Sequence, residues 1–141
     1  MVNNAAGNFI SRTQDLSHRG FDAIASIVFH GTFYVTHSVG RRWLELGMGG
    51  NIISILATWV WTGSAFTVPS AMSKSGIHAM TQSLATEWGK TGIRINAIAP
   101  GPFPTEGAWA RLSPGQDPSE ASSGSSGSYS QNPMGRVGEM E

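Results

Sequence analysis

Cysteine is absent from the 141 residues, which excludes disulfides, thiolate metal sites and a cysteine nucleophile. Excess charge of either sign is absent too. Nine basic residues balance nine acidic ones, so no electrostatic grip on nucleic acid or anionic lipid is expected. The four histidines, His18, His30, His37 and His78, show no ligand spacing with a carboxylate, and no metal site is expected. No basic stretch leads into an apolar one at the N-terminus, so a signal peptide is not expected. Charge is also missing from residues 46–73, a length that alone would span a bilayer. Asn51, Ser54, Thr58, Thr62, Ser64, Thr67 and Ser70 interrupt that stretch. A buried strand, a loop and a helix start explain it better. The expectation is a soluble, cytoplasmic protein without a membrane partner.

The length suits one domain with a modest core. Met1-Val2 reads as the end of a strand that runs into the polar turn Asn3-Asn4-Ala5-Ala6-Gly7. Ser17 is a plausible N-cap for a helix with an apolar stripe at Ile24, Ile27, Val28, Gly31, Val35, Val39 and Trp43. Residues 51–57 form a β-branched run, as in a parallel strand covered on both faces. Pro69 opens a second helix, with Ile77, Met80, Leu84 and Trp88 on its buried side. Residues 93–99 form the next strand, stopped by Pro100-Gly101-Pro102. Strand, helix, strand, helix, strand with right-handed crossovers predicts an α/β fold, a partial doubly wound, Rossmann-like parallel sheet with flanking helices. The domain expectation is 1–112 for this unit. Residues 113–131, rich in Ser and Gly, read as a flexible loop beside the substrate, and 132–141 as a truncated C-terminal segment.

Three local signals suggest chemistry. Small residues at Asn4, Ala5, Ala6 and Gly7 let a ligand approach the backbone at a strand's carboxyl end, where open α/β sheets bind ligands. A plain tight turn is the alternative. Ser70 and Lys74 lie four apart at a helix start and so share a face. A lysine beside a hydroxyl can hold a ribose and shift nearby proton equilibria, whereas an N-cap serine with a solvated lysine is the bland alternative. Pro100-Gly101-Pro102-Phe103-Pro104-Thr105 makes a rigid turn after a strand, or simple punctuation. All three fall at one edge of one sheet.

The segments Asn3-Asn4-Ala5-Ala6-Gly7-Asn8-Phe9-Ile10-Ser11, Thr62-Gly63-Ser64-Ala65-Phe66 and Pro69-Ser70-Ala71-Met72-Ser73-Lys74 carry a resemblance. With Glu87-Trp88-Gly89-Lys90 and Pro100-Gly101-Pro102, they are similar to the short-chain dehydrogenase/reductase family, and within it to the 2,4-dienoyl-CoA reductases. Most of that family has a catalytic tyrosine four residues before the lysine; the dienoyl-CoA reductases have a serine, as Ser70 is here. The resemblance implies NADP-dependent reduction of an unsaturated fatty acyl-CoA thioester, NAD not being excluded, and a homo-oligomer when the protein is complete. It implies that Lys74 binds the nicotinamide ribose. Asn8 and Ser70 would hydrogen-bond the thioester carbonyl or the dienolate, a stabilisation worth several kcal/mol, on the order of 3. Asn4, Ala5, Ala6, Gly7, Pro100, Gly101, Pro102 and Phe103 would contact the cofactor. Phe9, Ser17 and Arg111 would contact the acyl-CoA, Arg111 being suited to phosphate oxygens.

Two residues depart from the family's pattern. The reductases place a tyrosine fifteen residues before the lysine to complete proton transfer, and here that position is Trp59. An indole N–H donates a hydrogen bond but does not act as an acid near neutral pH. His30 stands where other members have an asparagine; it either donates to a carbonyl or water chain, or is a packed helix residue. A glycine-rich phosphate loop opening a helix is absent from the sequence, which therefore reads as a fragment that is inactive alone. Two other functions compete with the acyl-CoA reductase: a general short-chain alcohol or ketone dehydrogenase, and an inactive fragment that only packs against a partner subunit.

Overall fold

The computed structural model describes residues 1–101, 103 and 138. They fall into two units, Met1–Ala99 and Pro100–Glu141. In the first, β1 (Val2–Asn3), α1 (His18–Ala25), a π-helical turn (Ser26–His30) and α2 (Gly31–Glu45) lead to β2 (Gly50–Ile55). Then come α3 (Trp59–Thr62), α4 (Val68–Trp88) and β3 (Ile93–Ile98). The strands pair in parallel in the order β1-β2-β3, with Ser54 of β2 facing both Asn3 and Ala97. This is the expected α/β sheet with helical crossovers.

Ser17 does cap α1. Its extended backbone (φ −70°, ψ 149°) lets Oγ accept from the Gly20 N–H at 3.0 Å. Pro69 sits in the first turn of α4, where its missing N–H costs no helical bond. Ile77 and Trp88 are buried along α4, and Met80 and Leu84 pack against the two core clusters. One cluster joins Ile24, Val28, Leu56 and Ile77; the other joins Ile52, Trp88, Ile93 and Ile95.

Two expectations need correction. The apolar stripe along α1 and α2 is buried only in part: Ile24 and Val28 are in the core, whereas Ile27 is 55% and Val35 51% exposed. The buried residues are Ile24, Ala25, Val28, Thr32, Thr36 and Gly40, which apart from Ala25 fall in steps of four. The π turn widens the helix locally and carries the inward row onto the threonines. They enter the interior because their hydroxyls are paired there; Thr32 Oγ1 donates to Val28 O at 2.6 Å. The second correction concerns the sheet. Among the described residues only one of its faces is covered by helices, through Ile52, Ser54 and Leu56 of the β2 segment and Ile93 and Ile95 of β3. On the other face Asn51 of β2 is exposed and Ile53 and Ile55 are half-buried, while Val2, Arg94, Asn96 and Ile98 of the neighbouring strands are exposed. Consecutive strand order explains this, because two crossovers of one hand, made in one direction, put their helices on the same side.

Gly40 is the tightest point between the helices. A Cβ there would overlap the six-membered ring of the Trp88 indole, whose residue is 8% exposed. Gly40→Ala is therefore expected to destabilise the fold by about 1–3 kcal/mol through overpacking. Urea denaturation of the variant measures this, and an unchanged midpoint would contradict it.

Candidate functional site at the carboxyl edge of the sheet

Loop 4–8 leaves β1, and β2 ends at Ile55, on the same edge of the sheet. The N-terminal half of α4 lies against that edge and carries Lys74, which is 6% exposed. Lys74 Nζ donates to Ala5 O at 2.9 Å and to Ile55 O at 2.6 Å. One ammonium thus ties the β1 loop to the end of β2 and keeps a third N–H. Burial pushes its pKa below the ordinary 10.5, because desolvation penalises the charged form.

Ser70 is one turn earlier on α4 and 5% exposed. The hydroxyls of Ser73 and Ser75 donate to carbonyls one turn back, Pro69 O at 2.7 Å and Ala71 O at 2.9 Å. Ser70 lies in the first turn, with no full helical turn before it to supply such an acceptor. Its hydroxyl therefore suits an external partner better than theirs do. Asn8 closes the loop that Lys74 holds. Both its amide atoms, Nδ2 and Oδ1, are buried without a hydrogen-bond partner among the described residues. An amide in that state costs about 1–3 kcal/mol until a ligand or water pairs with it.

Asn4 and Ala6 are exposed, and Ala5 and Gly7 half-buried. Phe9 lies over Gly20 at the start of α1, beside the Ser17 hydroxyl, so these two come together. Ser17 Oγ accepts the helix N–H and keeps its own proton to donate. Trp59 begins α3 and is half-buried. His30 ends the π turn and is exposed, with its ring 5.5 Å from Phe29 and 6.1 Å from Tyr34. It is not the packed helix residue that the sequence suggested, because the π turn leaves it on the outer side. Pro100, Gly101 and Phe103 belong to the second unit. Pro102, Arg111 and the segments 113–131 and 132–141, apart from Gly138, lie outside the described residues.

Sequence reasoning missed one supporting cluster. Asn3 Nδ2 donates to Thr36 Oγ1 at 2.8 Å and Ser54 Oγ at 3.3 Å, all three residues being buried. This joins β1, α2 and β2 directly beneath the loop. The spacing of Thr32 and Thr36 was the available signal, obscured by the more apolar Val35 and Val39.

Residues 1–141 match a protein-family profile described as Enoyl-(Acyl carrier protein) reductase. A probable 2,4-dienoyl-CoA reductase, (3E)-enoyl-CoA-producing, of Caenorhabditis elegans is 48% identical over 146 aligned positions, covering 100% of this chain and 44% of that protein. A short chain dehydrogenase from Bacillus anthracis superposes with a TM-score of 0.76 at 40% identity, over 97% of this chain and 49% of that one. The chain belongs to the short-chain dehydrogenase/reductase family. It spans about half the length of these family members, 44% and 49%. Other members carry either nucleotide. A candidate 2-deoxy-D-gluconate 3-dehydrogenase of Agrobacterium tumefaciens has bound NADP (TM-score 0.75, 28% identity, 77% of this chain and 44% of that one). A 4-hydroxyisoleucine dehydrogenase is complexed with NADH and succinate (TM-score 0.69, 27% identity, 71% and 47%). Among the described residues no helix is long and apolar enough to cross a membrane, and no three His, Asp or Glu cluster as a metal site would require.

Proposed function

We propose that this chain carries the substrate side of a reductase acting on 2,4-dienoyl-CoA or a similar unsaturated acyl-CoA thioester, with NADPH as reductant. The carrying observation is Asn8, whose buried amide, unpartnered among the described residues, ends the loop clamped by Lys74. An amide N–H is a suitable donor to a thioester oxygen, and it gains strength as that oxygen becomes negative. Ser70, in the family's tyrosine position, supplies a second donor of the same kind. With a hydroxyl of ordinary serine acidity in that place, the site polarises an enone better than it deprotonates an alcohol. That favours the thioester over a simple alcohol or ketone.

The residues present fit the nicotinamide half of the cofactor. Lys74 retains one N–H beyond the two given to carbonyls, enough to hold a ribose hydroxyl. The small residues Asn4, Ala5, Ala6 and Gly7 leave their backbone open to a flat ring. The family resemblance also assigns Pro100, Gly101, Pro102 and Phe103 to the cofactor. When bound, the nicotinamide supplies hydride to the acyl chain. Asn8 and Ser70 hold the carbonyl oxygen as negative charge builds on it, and Phe9, Ser17 and Arg111 retain the acyl-CoA. Trp59, lacking an acidic proton, leaves reprotonation of the enolate carbon to water. The assembled protein is a homo-oligomer in this reading, which the exposed Phe33, Tyr34 and Val35 of α2 support.

The test is a chimera in which this chain replaces the segment of the nematode relative that it matches. Oxidation of NADPH should depend on a 2,4-dienoyl-CoA and be at least about tenfold slower with NADH. Asn8→Ala should lower kcat by roughly 10²–10³-fold, as loss of an oxyanion donor does. Turnover of simple alcohols or ketones without turnover of the dienoyl thioester would refute the reading.

A further inference from the structure

Phe66 has φ 65°, and it is the only non-glycine in the left-handed region among the described residues. A bulky side chain is disfavoured there, since Cβ crowds the following carbonyl. Sequence design has an easy remedy in glycine, which the chain uses three residues earlier at Gly63, φ 68°. Nor does Phe66 recover the strain by filling the core, because it is 50% exposed. Its backbone has a definite task. Phe66 O accepts the Ser11 N–H at 3.0 Å, joining the loop that follows Asn8 to the loop that precedes α4. Thr67, the next residue, is buried and anchored twice: Oγ1 donates to Ser64 O at 3.2 Å, and its carbonyl accepts the Ala71 N–H at 3.0 Å. The flanks of Phe66 are thus held, and its ring is directed to solvent on loops that also expose Phe9 and Ile10. Strain retained at an exposed apolar residue, between the segments bearing Asn8 and Ser70, is a mark of function rather than of packing.

We infer that Phe66 is a substrate-binding and specificity-determining residue, its ring walling the hydrocarbon tail of the acyl thioester. The inference rests on the acyl-CoA reading above and adds which part of the substrate is sensed, and where. A ring held by a stitched backbone contacts the acyl chain with little ordering cost, and it can contact only tails long enough to reach it. Short thioesters and free CoA should not sense it.

The experiment compares the wild-type 141-residue chain with Phe66→Gly and Phe66→Asn. Both replacements suit a left-handed backbone, so the stitch to Ser11 survives. Melting temperatures measure folding, and calorimetric titrations with 2,4-decadienoyl-CoA, 2,4-hexadienoyl-CoA and free CoA measure binding. The expected result is a melting temperature within about 4 °C of wild type or higher. Affinity for the decadienoyl thioester should drop roughly tenfold, with little change for the hexadienoyl thioester and none for CoA. A large fall in melting temperature for both variants would overturn the inference, making Phe66 a packing residue. Wild-type binding of thioesters, with equal affinities in the variants, would overturn it and leave the acyl-CoA reading standing. Failure of the wild-type chain to bind either thioester would overturn both.

Discussion

Trp59→Tyr raises dienoyl-thioester reduction by about 10²–10⁴-fold, the usual contribution of a positioned general acid. Trp59 begins α3, four residues beyond the Ile55 carbonyl that Lys74 holds. A phenol placed there has a proton to give. The indole has an N–H that only polarises. The comparison belongs in the chimera described above, at several pH values, because an added acid should also introduce a new pH dependence in kcat. Equal rates for the two residues would show that proton delivery does not depend on this position.

Lys74→Met removes one group and three functions. Ala5 O and Ile55 O lose their shared donor, and the β1 loop loses its tie to β2. Leaving two half-buried carbonyls without this donor costs up to about 1–3 kcal/mol; part of that is offset because the variant no longer buries a charge. A net loss near 1 kcal/mol would lower the melting temperature of a unit this size by roughly 4–8 °C. The pH dependence separates this from generic damage. Lys74 has a folded pKa below 10.5, so below that folded value the buried charge is a penalty at full strength. As pH climbs from the folded value towards 10.5, the unfolded chain keeps a proton that the folded chain has shed, and stability rises. Wild-type protein should show this alkaline gain relative to Lys74→Met in urea titrations. A parallel pH profile for the two proteins would contradict the burial argument. In the chimera, the variant should also lose NADPH binding, since the third N–H is gone.

Much was written in local sequence. Ser17 announced its helix, Pro69 the next, and the β-branched runs near 52 and 93 their strands, because caps, proline geometry and β-branching act within a few residues. The pairing of Ser70 with Lys74 on one helical face followed from period alone. Which face of α2 would be buried did not. Hydropathy favours Val35, yet the π turn at Ser26–His30 and the close approach of Trp88 to Gly40 selected Thr36, whose hydroxyl finds Asn3 across the core. That choice depends on shape and on satisfying polar groups across a sequence separation of 33, information that no local window holds. The same holds for the lysine clamp. Sequence determined that Lys74 would stand at the sheet's edge, but only tertiary structure brought Ala5 O and Ile55 O to its ammonium, buried the Asn8 amide with no partner among the described residues and held Phe66 in a left-handed turn. Each of these depends on where distant backbone segments meet, and that is set by the packed whole.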